Sequence, residues 1–313
     1  MKLAIGIPFK DRAEFVIRLV RSLLDSIKLL NLDDISVRIF LINDHSQHFH
    51  LKVVKDIANS CRGVYLVDNN GLGPGAARNT IYGQLSDEDY VAFIDCDCLP
   101  DKNWILEICR VCEKFRPPVL QGVPFLYMKK NKIGEWEENL YQCMFSTYLN
   151  PTLDSCNMTD SRNLIVSKSF FSDMSGKLFS EKLNKAAAES RVLMARIKER
   201  NISVAYSEYI KVFHQDPVSI VESCLQKYRH GHGRVEIWGA NHPPIEQLLK
   251  RYFYDPISLN IPSHYVISVH LSFLYGYFSN MGNMTVFEHI CRRLRKDYEG
   301  INLFDVLNST GAL

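Results

Sequence analysis

This chain lacks any strong imbalance of charge: 37 Lys and Arg against 35 Asp and Glu leave a formal net charge of +2 over 313 residues. Wrapping a nucleic acid normally takes a strongly basic face, so nucleic acid is excluded as the expected partner. The short basic clusters at Lys129-Lys130 and Arg292-Arg293-Leu294-Arg295-Lys296 read as solvated helix faces. A membrane-spanning run is lacking as well. No Asp, Glu, Lys or Arg occurs between Asp255 and Glu288, yet Ser, Asn, His, Gly and Pro punctuate that stretch, which falls short of the ~20 mostly apolar residues of a span. A buried helical hairpin is expected there, packed as a cap on the acceptor side. Its aromatic-rich Tyr265 to Phe278, followed by a basic helix, also fits peripheral contact with a membrane surface.

Disulfide spacing is absent too. The nine cysteines are odd in number and scattered. The opening Met1-Lys2-Leu3-Ala4-Ile5-Gly6 runs into a strand-like segment that Pro8, Lys10 and Asp11 interrupt, which is not a signal-peptide pattern. The expected setting is cytoplasmic with reduced thiols, extending to the inner face of the membrane if the C-terminal region makes peripheral contact. Cys96, Cys98, Cys109 and Cys112 can be drawn as a zinc site. However, Cys109 and Cys112 sit at helical spacing among Ile105, Ile108 and Val111, so an apolar helix face accounts for them better. Internal repeats and low-complexity linkers are also missing.

What is present is alternation. Leu3 to Ile7 reads as a strand closed by Pro8, and Glu14 to Leu30 as a helix with apolar residues at Phe15, Ile17, Leu19, Val20, Leu23, Leu24 and Ile27. Val37 to Ile42, Val64 to Val67 and Tyr90 to Ile94 read as further strands, separated by helices at Val53 to Asn59 and Ala76 to Leu85. A helix over Trp104 to Phe115 and a strand over Val119 to Val123 continue the series. This βαβα order predicts a parallel sheet with helices on both faces. Beyond Phe125 the pattern weakens: a helix over Gly134 to Tyr148, a strand over Asn163 to Ser167, and a short helix over Lys168 to Met174 are expected. An amphipathic helix over Asn184 to Arg200, a strand over Ile202 to Tyr206 and a helix from Val218 to Tyr228 ending near Gly231 follow, and from Pro243 the chain reads all-helical.

The richest segment is Tyr90-Val91-Ala92-Phe93-Ile94-Asp95-Cys96-Asp97-Cys98, an apolar strand ending in two carboxylates one residue apart. In open α/β sheets the carboxyl edge is where ligands bind. Hard oxygen ligands placed there suit Mg²⁺ or Mn²⁺, which keep coordination positions for a substrate's diphosphate. Three other polar or glycine-rich loops fall at the same edge: Ile7-Pro8-Phe9-Lys10-Asp11-Arg12, Asn43-Asp44-His45-Ser46, and Asn69-Asn70-Gly71-Leu72-Gly73-Pro74-Gly75-Ala76-Ala77-Arg78-Asn79. Asp44 can accept from a base or ribose, and the glycine-rich turn into a helix offers backbone N–H groups to an anion.

In order and spacing, these loops resemble glycosyltransferase family 2, the GT-A nucleotide-sugar transferases. The likeness continues through Ser161-Arg162-Asn163-Leu164-Ile165-Val166-Ser167-Lys168-Ser169-Phe170-Phe171, Ala188-Glu189-Ser190-Arg191-Val192-Leu193, Val212-Phe213-His214 and Tyr228-Arg229-His230-Gly231-His232-Gly233. It implies a GT-A, Rossmann-like, mostly parallel nucleotide-binding sheet flanked by helices over residues 1–235; residues 236–313 lie outside the likeness and read as an all-helical C-terminal extension. It also implies that Pro8 and Asp44 border the nucleobase, that Arg78 organises the base or phosphate end, that Asp95 lies near ribose or metal, that Asp97 binds the metal and that His214 is a third ligand. The implied chemistry is inverting, metal-dependent transfer of a sugar, a hexose expected, from a nucleoside-diphosphate sugar, UDP-sugars favoured, to a glycan, lipid or peptide acceptor.

One departure stands at the catalytic base. Family members commonly carry Glu-Asp where this chain has Glu189-Ser190, and a serine is no general base near neutral pH unaided. Either Glu189 takes the acceptor proton, or Asp160 or another carboxylate does, or the acceptor needs little help, as a thiol would. Two other readings remain: a nucleotidyltransferase, which predicts a glycine-rich phosphate loop after the first strand where Pro8-Phe9-Lys10-Asp11 stands, and an inactive nucleotide-sugar-binding protein, motivated by Ser190.

Overall fold

The computed structural model describes residues 1–28, 30, 35–150, 154–182, 189–238 and 260–297, without side chains for 236–238 and 293–297. In chain order the elements are β1 (Lys2–Phe9), α1 (Ala13–Lys28), β2 (Ser36–Asn43), α2 (His48–Ser60), β3 (Val64–Asp68), α3 (Gly73–Thr80), β4 (Tyr90–Phe93), β5 (Cys98–Pro100), α4 (Trp104–Phe115), β6 (Val119–Val123) and α5 (Lys132–Ser146). There follow β7 (Leu149–Asn150), β8 (Ser155–Cys156), β9 (Leu164–Ser167), α6 (Lys168–Asp173), α7 (Glu189–Glu199), β10 (Val204–His214), α8 (Ile220–Trp238), α9 (Ser263–Asn280) and α10 (Met284–Asp297). The chain divides into two compact units. The first holds the described residues of Met1–Met128, Gln142–Asn184 and Glu189–Gln215; the second holds Lys129–Tyr141 and the described residues from Asp216 onward.

The first unit is built on one sheet of order β3-β2-β1-β4-β9-β6-β10-β8-β7, with β5 paired to β10. Strands β3, β2, β1 and β4 pair in parallel, β9 runs antiparallel to both β4 and β6, and β10 is parallel to β6. The sheet is therefore mostly parallel, with β9 reversed in its middle and β8 and β5 antiparallel to β10. From Leu3 to Phe9 every residue of β1 is buried, as expected of a central parallel strand covered on both faces. Val16, Leu19, Val20 and Leu23 of α1 are buried at helical spacing and join Leu3, Ile5, Ile7, Leu41, Trp104 and Ile108 in one apolar core.

Local sequence explains most boundaries. Helix α4 ends at Phe115 because Arg116 takes a left-handed conformation (φ 48°) and two prolines follow it. The helix expected to run to Leu85 instead stops at Thr80 and tightens into a 3₁₀ turn over Ile81–Gln84. Helix α2 begins at His48, before the apolar positions from which it was read. Strand β10 extends to His214, well past Tyr206. The start of the helix expected from Asn184 lies outside the described residues, and α7 is described from Glu189.

The second unit contains α8, α9 and α10; the charge-free stretch supplies α9 and the first turn of α10, and the rest of α10 is charged. Among the described residues no helix is long and apolar enough to cross a membrane. Helix α8 was expected to end near Gly231 but continues through it to Trp238. The reason is close packing: a Cβ on Gly231 would overlap the Phe273 carbonyl of α9, and one on Gly276 would overlap the Tyr228 carbonyl of α8. These glycines let two helix backbones touch and are not stop signals.

A buried ion pair lies at the heart of this unit. Glu137 is wholly buried; it accepts from Lys227 Nζ at 2.7 Å and from the Tyr265 hydroxyl at 2.6 Å. Burial opposes the charge on Glu137, but Lys227 and the hydroxyl donors outweigh it and hold the carboxyl below the usual glutamate range. Lys227→Met should therefore destabilise the protein by about 3–5 kcal/mol at neutral pH, the cost of orphaning a buried charge. A group with a depressed folded pKa stabilises above its unfolded value, about 4.3 for Glu, and loses that contribution as pH falls through the folded value. The gap between wild type and variant should narrow below about pH 4, which denaturant melts across pH would check.

Candidate active site

Because β1, β2, β3 and β4 are parallel, their carboxyl ends open onto one edge, and the loops there are stitched together by backbone bonds. Asp44 N–H donates to the Phe9 carbonyl and Asn69 N–H to the Asn43 carbonyl, each at 2.9 Å. Asp44 Oδ1 accepts from Asn69 Nδ2 at 2.8 Å and from Gly73 N–H at 3.0 Å. One N–H of the glycine-rich turn thus goes to a protein carboxylate, not to a ligand, and Gly73 supplies the positive φ of 85° that the turn needs. Pro8 is buried in β1, in register with Ile42.

Arg78, on α3, is almost wholly buried. Its Nη2 donates to Asp95 Oδ1 at 2.5 Å, its Nη1 to Glu189 Oε1 at 3.3 Å, and its guanidinium lies 5.4 Å from the Phe179 ring centroid. Burial disfavours the guanidinium charge, yet Asp95 and Glu189 outweigh it and raise the arginine's pKa. Two carboxylates share one cation, so the trio carries one excess negative charge. The end of β4 and the start of α7 are joined through it.

Asp97 follows in the tight turn that leads into β5. Its carbonyl accepts from Gln215 N–H at 2.9 Å, which ties the turn to the end of β10. Its Oδ2 accepts from the Arg12 guanidinium, while its Oδ1 lies 3.3 Å from His214 Nε2. His214 Nδ1 is 2.7 Å from the Gln215 carbonyl, which can only accept, so Nδ1 bears a proton and, in the neutral ring, Nε2 turns its lone pair toward Asp97. Asp97 Oδ1 is buried and has no hydrogen-bond partner. Two acceptors facing each other at this distance need a cation or a second ring proton between them. Ligand bonds of about 2.0–2.2 Å place adjacent donors about 3 Å apart, so the pair fits a divalent metal. Burial works against the Asp97 charge, but the positive charges of His214 in its protonated form and of Arg12 more than offset it and hold the carboxyl below the usual range.

The two candidate bases differ in their surroundings. Asp160 caps the 3₁₀ turn Ser161–Asn163; its Oδ1 accepts from Arg162 N–H and Nε, each at 3.0 Å, and its Oδ2 accepts from Arg162 Nη2 at 2.9 Å. Such a bidentate pair stabilises the carboxylate and weakens it as a proton acceptor. Glu189, in the first turn of α7, shares its arginine with Asp95.

With this geometry in place, the model of glycosyl transferase family 2 matches residues 4–174, more than half of the chain. The protein belongs to that family. Its fold is that of solved GT-A glycosyltransferases. The mannosyltransferase PcManGT from Pyrobaculum calidifontis, in complex with GDP-Man and Mn²⁺, aligns with a TM-score of 0.56 at 10% identity, covering 99% of this chain and 79% of that one. S. aureus TarS in complex with UDP aligns at 0.53 with 14% identity, covering 96% and 93%; in complex with UDP-GlcNAc it aligns at 0.50 with 14% identity, again covering 96% and 93%. None of the curated proteins matches this chain.

The family's Glu-Asp position gains a physical account here. Ser190 Oγ accepts from Ser161 N–H at 3.0 Å, and its carbonyl accepts from Thr159 Oγ1 at 2.5 Å. Serine therefore pins the loop that carries Asp160. Several contributors escaped the sequence reading. Arg12, read only as part of a loop, binds Asp97. Gln121 holds the Asp160 loop, its Oε1 accepting from Asp160 N–H at 2.7 Å. Asn163 donates to the Val123 and Ile210 carbonyls and accepts from Trp104 Nε1 at 2.9 Å. The only sequence signal for these three was a polar residue set beside apolar strands.

Proposed function

We propose that this family 2 protein is an inverting, metal-dependent glycosyltransferase that moves a sugar from a nucleoside-diphosphate sugar, UDP-sugars favoured, to a glycan, lipid or peptide acceptor. The observation that carries the metal dependence is the facing pair of acceptors, Asp97 Oδ1 and His214 Nε2 at 3.3 Å. Asp97 and His214, with Asp95 beside them, would hold Mn²⁺ or Mg²⁺, which neutralises charge on the leaving diphosphate. Pro8 and Asp44 border the nucleobase in this reading, and Arg78 fixes Asp95 and Glu189 relative to each other. Glu189 takes the proton of the acceptor nucleophile, a role for which Asp160 is the less suited because Arg162 grips both its oxygens.

Thermal shifts with UDP-, GDP- and TDP-sugars, with and without Mn²⁺, test the reading. A bound donor stabilises by mass action, about 2.7 kcal/mol at a hundredfold excess over Kd, and the shift should need the metal. No shift with any of them, or shifts indifferent to metal, would count against it. Ser190 favours one second reading, a protein that binds a nucleotide sugar without turning it over; Mn²⁺-dependent hydrolysis of the donor would exclude that.

Arg12 gives a separate expectation. Its charge on Asp97 Oδ2 opposes a cation on Oδ1, and its side chain is 45% exposed, so solvent screens much of the effect. Arg12→Ala should tighten Mn²⁺ binding in the absence of nucleotide by up to about fivefold, the scale of an exposed ion pair. Titration followed by the Mn²⁺ spin-resonance signal reads this directly.

A further inference from the structure

We propose that Cys98 Sγ is a third protein ligand of this metal centre, so that Asp97, Cys98 and His214 form a mixed oxygen, sulfur and nitrogen set with a marked preference for Zn²⁺ over Mg²⁺. The proposal rests on the metal-dependent reading of Asp97 and His214 and deepens it. One ligand atom from each of these residues lies within 4.8 Å of the others. Tetrahedral zinc, with bonds of about 2.3 Å to sulfur and about 2.0 Å to nitrogen or oxygen, holds its donors about 3.5 Å apart, so closure needs small side-chain movements only.

The backbone brings this about. Cys98 opens β5, where it stands directly opposite His214 across the antiparallel β5–β10 pair, and side chains directly opposite in such a pair share a face of the sheet. Cys98 N–H donates to the Asp95 carbonyl at 3.0 Å and Gln215 N–H to the Asp97 carbonyl at 2.9 Å. Both sides of the site are therefore fixed before a metal arrives. Mg²⁺ takes hard oxygen donors, whereas thiolate selects softer ions such as Zn²⁺. Three protein ligands leave a fourth position open, as in catalytic zinc sites, and a diphosphate oxygen is the ligand at hand. Coordination releases the thiol proton to solvent, so zinc uptake is accompanied by proton release.

Co²⁺ is the probe, because a thiolate ligand gives it an intense near-ultraviolet charge-transfer band. The full chain titrated with Co²⁺ alone should show that band and lose it in Cys98→Ser and in His214→Ala. Zn²⁺ affinity, measured by competition with a chromogenic chelator, should fall by about 10- to 100-fold or more in Cys98→Ser, at least the loss that follows removal of a metal site's outer-shell partner. Mg²⁺ and Mn²⁺ affinity should change by less than about twofold, since hard ions draw little from sulfur. The wild-type spectrum keeps the test valid even if the variant folds poorly. Co²⁺ bound through Asp97 and His214 without a thiolate band, or a band that survives Cys98→Ser, would overturn the Cys98 assignment and leave the metal centre standing. Metal binding indifferent to Asp97→Asn and His214→Ala would overturn both.

Discussion

Asp97→Asn should reduce sugar transfer by about 10²–10³-fold or more, since metal stabilisation of a leaving diphosphate is worth several kcal/mol, while the folded structure persists. The amide keeps the size of the carboxylate and the backbone carbonyl that accepts from Gln215 N–H. What it loses is the charge facing His214 Nε2 and the partner of Arg12. The defect should therefore appear in metal-dependent nucleotide affinity before it appears in stability. Calorimetric titration of UDP or GDP in Mn²⁺ and in chelator reads it: wild type should bind much more tightly with metal, and the variant should show little difference between the two. Equal affinities in wild type would defeat the metal-dependent reading, whatever the variant did.

Strand β4 and its Asp-x-Asp end were legible in the sequence because a run of β-formers closes abruptly in carboxylates, and α4 because its apolar period stops at a proline pair. Strand β5 was not, since three residues carry no periodicity; its pairing with β10 is a non-local event, and it is what sets His214 opposite Cys98. The reversed strand β9 was read as a strand but its direction could not be, because direction depends on which neighbours it inserts between. In the second unit glycine misled: Gly231 reads locally as a helix end, whereas the α8–α9 contact requires it mid-helix. The same division holds in the site. Asp95 and Asp97 were visible through their position at the end of a strand, and His214 only through the family resemblance, since the strand that carries it reads locally as ending at Tyr206. Arg12, Gln121 and Asn163 act through partners far away in sequence, and no local spacing announces them.

The proposed role of Glu189 as the base is tested by Glu189→Gln. If Glu189 takes the acceptor proton, the variant should lose about 10²–10⁴-fold in transfer, the usual cost of removing a general base, while nucleotide-sugar affinity stays near that of wild type. Gln has the same length and can still accept from Arg78 Nη1, so the bond that now spans 3.3 Å and the position of α7 need not change. A purely positional role for Glu189 would also cost activity, so rate alone does not decide; the pH profile does. With Glu189 as the base, the acidic limb of kcat/KM reports its ionisation and should disappear in the variant. A positioning residue would leave that limb in place and lower the whole curve. Asp160→Asn is the matched comparison: its carboxylate is held by the Arg162 backbone and guanidinium, so its loss should disturb the loop and stability but keep the acidic limb. Full activity in Glu189→Gln, or an acidic limb abolished by Asp160→Asn instead, would transfer the role to Asp160 and make Glu189 the partner that keeps Arg78 aligned on Asp95.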